Sequence, residues 1–240
     1  MSAAKVCAHR KKRDVILKKI KGSRLMRHIM VLNSKGGSGK STIATSLAAY
    51  YAGRDEKVAL VDCDRQASSL EWLSRRPADK PKITGVAGFE KGFRPVPRNS
   101  DLVIIDAPAG CHGPELAALL RHAETVLVPV LPSTIDITAS SKFIAELREV
   151  GKVERREVRL GLVGNRVRDY TLISQELDEY LTALRMPYVS RLREAQNYVR
   201  AYTRGLGIHE LPGYLAWPDW DQWKPLVSWL NSKRSQPLAA

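Results

Sequence analysis

Asn33-Ser34-Lys35-Gly36-Gly37-Ser38-Gly39-Lys40-Ser41-Thr42 is the stretch on which the fold turns. It follows an aliphatic run, His28 to Asn33, that reads as a strand. It opens Lys40 to Tyr51, whose apolar spacing of three and four reads as a helix. A glycine-rich turn between strand and helix makes a phosphate cradle. Gly36, Gly37 and Gly39 let the backbone curl, through Ser38, until several N–H groups aim at one anion, and the helix N-terminus adds positive potential there. In that frame Lys40 meets the β- and γ-phosphates of a nucleotide. The Ser41 hydroxyl faces a magnesium ion bridging them, and Thr42 lies nearer the α-phosphate.

Val58-Ala59-Leu60-Val61-Asp62 and Leu102-Val103-Ile104-Ile105-Asp106 each end an aliphatic run on an aspartate, at the edge where open α/β sheets bind ligands. Both carboxylates are expected to face magnesium, with Asp106 the better candidate; Asp64 follows Asp62 in a second acidic cluster. Strand patterns at 28–33, 57–62, 102–106, 125–131 and 158–165 alternate with helical patterns at 40–51, 114–122, 135–150 and 172–184. That order predicts an α/β fold, a doubly wound, mostly parallel sheet with helices on both faces. Residues 76–100 read as loop with one short strand near Ile83 to Val86, suited to a sheet edge. One domain is expected over 28–231, preceded by a basic extension (1–27) and followed by a loosely ordered tail (232–240).

Lys35 sharpens the reading. Lys35-Gly36-Gly37-x-Gly39-Lys40-Ser41-Thr42 resembles the deviant Walker A motif of the ParA/MinD ATPases, and the resemblance covers roughly Ile29 to His209. It implies ATP and Mg2+ as ligands, and a sandwich homodimer in which Lys35 reaches the partner's phosphates. A cargo-linked activating protein would then stimulate an otherwise slow hydrolysis. Asp62-Cys63-Asp64-Arg65-Gln66 looks like the family's D-x-D-P-Q segment with Arg65 in place of proline, so Asp64 inherits the task of orienting water. Val128 to Ser133 with Asp136 is similar to the segment after the fifth strand, and Asn165 matches the adenine-reading asparagine. A strand-end turn would also suit an asparagine there.

The chain carries 39 Lys and Arg against 25 Asp and Glu, a formal net charge of +14. Residues 1–27 hold ten basic side chains and one acid, which fits contact with an anionic surface, a solubilising tail, or an upstream extension if translation starts at Met26. No helix-turn-helix precedes residue 28. Arg185, Arg191, Arg193, Arg200 and Arg204 face only Glu194 in sequence, which favours contact with the backbone of nonspecific double-stranded DNA. The small, ParA-type branch, positioning a plasmid, chromosome region or protein organelle such as a carboxysome, is therefore expected, cytoplasmic and nucleoid-associated. The alternatives are a MinD-like membrane role through the tryptophan-rich segment 217–233 and a regulatory DNA-binding switch without useful turnover. Pro218 and Pro225 are expected to interrupt that segment, which then packs onto the domain rather than entering a membrane. Cys7, Cys63 and Cys111 have neither zinc nor disulfide spacing.

Overall fold

The computed structural model describes residues 26–89 and 95–237. Its described strands form one seven-stranded sheet in the order β3-β2-β4-β1-β5-β6-β7, parallel at every pairing. The strands are β1 (Arg27–Val31), β2 (Val58–Asp62), β3 (Ile83–Ala87), β4 (Leu102–Asp106), β5 (Thr125–Val130), β6 (Arg159–Val167) and β7 (Tyr188–Arg193). The helices are α1 (Lys40–Ala52), α2 (Ser68–Ser74), α3 (Gly113–Leu120), α4 (Thr134–Glu149), α5 (Gly151–Glu154), α6 (Leu172–Ala183), α7 (Gln196–Thr203) and α8 (Gly213–Leu230), with 3-10 turns at Ile208–Glu210 and Lys233–Ser235.

Period-2 alternation sorts the core. Ile29 and Val31 face one side of β1 and join α1, α2, α7 and α8; Met30 and Leu32 face the other and join α3, α4 and α6. β1, β2, β4 and β5 are therefore apolar on both faces, as strands covered by helices on two sides must be. β2, β3 and β4 lie on one side of β1 and β5, β6 and β7 on the other. The connections part at the carboxyl end of β1, the place where such sheets open a crevice.

The expected strand near Ile83 is β3, at one edge. β7, the opposite edge, and α7 have no counterpart in the sequence reading. Two expectations need correcting. Pro218 and Pro225 do not interrupt the tryptophan-rich segment: both lie inside the continuous 18-residue α8. The carbonyls four residues earlier, on Tyr214 and Asp221, belong to exposed residues that water can satisfy. The buried face of α8 carries Trp223, while Trp220 and Trp229 pack against the same core. The segment after Ser232 is not loose as far as Ser235. That residue is buried, its hydroxyl donates to the Leu230 carbonyl at 2.8 Å and accepts from Arg27 at 2.7 Å, and its carbonyl accepts from Thr125 at 2.6 Å. Arg27, counted with the basic extension, belongs to β1; residues 1–25 lie outside the described residues.

Candidate nucleotide site

The glycine-rich turn opens a cleft of about 980 Å³ at the carboxyl edge of the sheet, lined by Gly36, Gly37, Gly39, Lys40, Ser41 and Thr42 on its floor. Gly37 and Gly39 adopt φ of +75° and +91°, a region disfavoured for residues with a Cβ, and Gly39 starts α1 in that conformation. Side chains brace the turn from behind. Asn33 donates to the Pro129 carbonyl at 2.6 Å and accepts from the Lys35 N–H at 3.1 Å, tying the turn to β5. Asn165, at the carboxyl end of β6, donates to the Ser38 carbonyl at 2.8 Å, and its amide passes so close that a Cβ on Gly39 would meet Nδ2 at 2.2 Å. It thus lines the cleft while gripping the cradle's backbone.

The two lysines are treated differently. Lys40 is buried with its ammonium 3.2 Å from the Lys35 carbonyl; burial lowers its pKa, opposed by the charges of Asp106 and Asp64. Lys35 turns outward to Asp136 at the start of α4, Nζ to Oδ1 2.8 Å, and Asp136 is in turn hydrogen-bonded to Ser133.

Among the carboxylates, Asp62 was expected beside the metal. Both its oxygens accept from backbone: Oδ1 from Asp64 N–H at 3.1 Å, and Oδ2 from Ser69 and Leu70 at 2.8 and 3.1 Å. It anchors the start of α2, whose own N-cap, Ala67, has no capping side chain. Asp106 is the group left with capacity. Its Oδ2 accepts from the Ser69 hydroxyl at 2.7 Å, while Oδ1 is buried without a partner. Burial pushes its pKa up to about 7, against the Ser69 hydrogen bond and the nearby Ser41 hydroxyl, which favour the charged form. An unpaired, buried carboxylate oxygen next to a serine hydroxyl and a phosphate cradle fits a hard divalent cation held through oxygen or water. Asp64 lines the same cleft and closes a local turn by accepting from Gln66 N–H at 3.0 Å.

Several participants had no signal in the sequence. Ser69 has no motif around it. At the cleft rim Arg166, with φ +54°, and Arg168 both pair with Glu194, and Arg193 lines the wall. The five arginines expected to contact DNA are not brought together as one patch. Arg185 precedes β7 and Arg193 ends it, a strand length of roughly 20 Å apart. Arg191 lies between Asp169 and Asp178 at 3.1 and 3.3 Å, and Arg193 is paired at 2.6 Å with buried Asp219. Arg185, Arg200 and Arg204 remain exposed. No helix of the described residues is long and apolar enough to cross a membrane, and no cluster of three or more His, Cys, Asp or Glu among them could hold a metal by itself.

Residues 29–208 match the model of the CobQ/CobB/MinD/ParA nucleotide-binding domain. Among curated proteins, the chain is 25% identical over 189 residues to the maintenance of carboxysome distribution protein A of Halothiobacillus neapolitanus, covering 76% of this chain and 87% of that one. It is 30% identical over 191 residues to the chromosome-partitioning ATPase Soj of Thermus thermophilus, covering 66% and 76%. Among solved structures, MinD of Pyrococcus horikoshii complexed with Mg-ADP superimposes with a TM-score of 0.64 at 16% identity, over 88% of this chain and 99% of that one. The cradle, both of its lysines and the strand-end aspartates lie within the matched residues, and the chain belongs to the CobQ/CobB/MinD/ParA nucleotide-binding domain family.

Proposed function

We propose that this chain is a ParA-type positioning ATPase that forms a sandwich dimer with ATP, holds nonspecific duplex DNA in that state, and releases it when a cargo-linked partner stimulates hydrolysis. The observation that carries this reading is Lys35. Lys35 does not line its own cleft; its ammonium lies 2.8 Å from Asp136 on a side chain 36% exposed, which leaves it within reach of a second molecule's phosphates once that pair opens. A cation delivered in that way stabilises charge that develops in phosphoryl transfer.

Lys40 and the N–H groups of residues 36–42 would hold the phosphates. Ser41 and Asp106 would hold magnesium, which when bound neutralises phosphate charge. Asp64 would orient the attacking water, and Asp62 keeps that loop in place through α2. Asn165 fixes the cradle and borders the base. Relatives named for carboxysome distribution and chromosome partitioning support positioning as the class of work, with the cargo supplied by the partner. For DNA the exposed Arg200 on α7 and Arg204 at its C-terminal cap are the contacts we favour, with Arg185 apart from them. Dimerisation doubles the phosphate contacts and makes retention depend on ATP and on salt.

The test combines ATP turnover, mass in solution, and retention of random-sequence duplex DNA with ATP, ADP and no nucleotide. ATP should dimerise the wild type and support salt-sensitive retention. Lys35→Ala should still bind ATP but stay monomeric, and Asp64→Ala should dimerise with turnover at least tenfold lower. Wild type that never turns over ATP would leave a regulatory switch instead. A protein that ignores DNA but binds anionic liposomes would move the reading to a MinD-like membrane role, for which exposed Tyr214 and Trp217 on α8 are the available anchor.

A further inference from the structure

The loop that follows Asp106 is tied down at three points. Ala107 N–H donates to the Val31 carbonyl at 3.1 Å at its start, and Gly110 N–H donates to the Ser34 carbonyl at 2.7 Å, directly behind the cradle. Its far end is held from outside. Glu146, on α4, accepts from the Gly113 N–H through Oε1 at 2.7 Å and meets His112 Nδ1 through Oε2 at 2.6 Å. The His112 ring also stands edge-on against Phe143, one helical turn before Glu146, at a centroid distance of 6.0 Å and 89° between planes. Phe143 is buried, so the ring packs against the core rather than against solvent.

Between these ties Cys111 is buried, its thiol donating to the Pro108 carbonyl at 3.7 Å, while the two glycines leave the rest of the loop open. Gly110 and Gly113 take φ of +75° and +53°, and a Cβ on either would meet nothing within 4 Å. α3, which the loop feeds, has no capping side chain of its own at His112, and Glu146 does that work from another helix. An ordinary exposed ion pair between two long side chains would constrain little. Here one carboxylate holds a backbone N–H and an aromatic ring at once.

We propose that Glu146 is a positioning residue for the nucleotide-facing loop 107–113: it acts through His112 and Gly113 and sets how that loop lies against Ser34 and Asp106. The proposal rests on the ATPase reading for its consequence in turnover, and on the contacts alone for its consequence in loop order. Removing the carboxylate frees the end of the loop, weakens the Gly110–Ser34 contact, and leaves the cradle itself intact.

The full chain is compared as wild type, Glu146→Ala and Glu146→Gln. Amide hydrogen exchange over 107–113 is followed without nucleotide, and ATP turnover and fluorescent-ATP affinity are measured alongside. In Glu146→Ala exchange over 107–113 should rise at least fivefold, and kcat should fall about tenfold with KM and nucleotide affinity within twofold. Glu146→Gln, whose amide oxygen still accepts from Gly113, should recover most of both. Unchanged exchange in Glu146→Ala overturns the proposal, as does a loss of kcat that Glu146→Gln does not rescue, or one that comes with an equal loss of ATP affinity. If the wild type does not hydrolyse ATP, the ATPase reading fails, and the exchange comparison still decides whether Glu146 positions the loop.

Discussion

Gly39 shows how one missing atom serves two purposes. Its φ of +91° starts α1 with the N–H groups turned into the cleft, and its bare Cα leaves room for the Asn165 amide. Gly39→Ala should therefore lose ATP affinity by at least tenfold, read by titration with a fluorescent nucleotide, and lose about 1–3 kcal/mol of stability. Adding Asn165→Ala removes the 2.2 Å collision but not the backbone strain, so the double variant should recover part of the stability and little of the affinity. The cradle residues were legible because phosphate chemistry dictates glycine, lysine and hydroxyl at fixed spacing. Asn165 was legible only as a residue that borders a ligand. Its grip on the Ser38 carbonyl depends on β6 lying beside β5, which no local pattern encodes.

At the scale of elements, the contacts that hold the far side of the molecule together are as specific as those of the site. Arg76, just after α2, donates to both oxygens of Glu210 at 2.8 and 2.9 Å and to the Gly205 and Pro81 carbonyls, and lies over the Trp72 ring. Both members of the pair are largely buried, so deleting the cation leaves Glu210 its hydrogen bond from the Gly207 N–H but takes away the charge that balances it. Arg76→Ala should cost about 3 kcal/mol in urea unfolding, while ATP affinity at temperatures where the protein is folded stays within twofold. The central strands were readable from their aliphatic runs. β7, α7 and α8 were not, for different reasons. Tyr-Val-Ser-Arg-Leu-Arg in β7 is an edge strand whose arginines are partnered from distant elements, so its alternation looks like a basic surface. α8 holds two prolines that a helix tolerates only where the carbonyls they abandon can reach water.

For the whole molecule, the linkage between pH and stability turns on His209. Its ring sits between Tyr50 and Trp223 at centroid distances of 4.9 and 5.1 Å, Nδ1 is buried with no partner, and burial lowers its pKa to about 4. An unfolded chain protonates the same ring near its free value, 6.5. The lowered folded value means that the ring's contribution is complete above that pH and is lost as pH falls towards 4, by up to about 3 kcal/mol. Urea midpoints of wild type and His209→Phe should therefore converge or cross between neutral and acidic pH, the wild type losing more. Equal slopes for the two would mean that the ring is not buried in its neutral form. Charge was the least legible property at this scale. A net +14 and a run of arginines suggested one basic face, but folding brings Asp169, Asp178 and Asp219 to two of those arginines.

The hydrogen bond from Arg27 to Ser235 carries a consequence for how the chain could be rewired. It joins the first strand to the last described turn at the amino edge of the sheet, opposite the cradle, so the folded path from 27 to 235 is nearly a closed ring. Linking those two points and opening the ring at an exposed turn such as 155–157 would change the order of synthesis without moving the nucleotide cleft. What the cleft needs is the crossing pattern of the strands, and a ring keeps that wherever it is cut outside them.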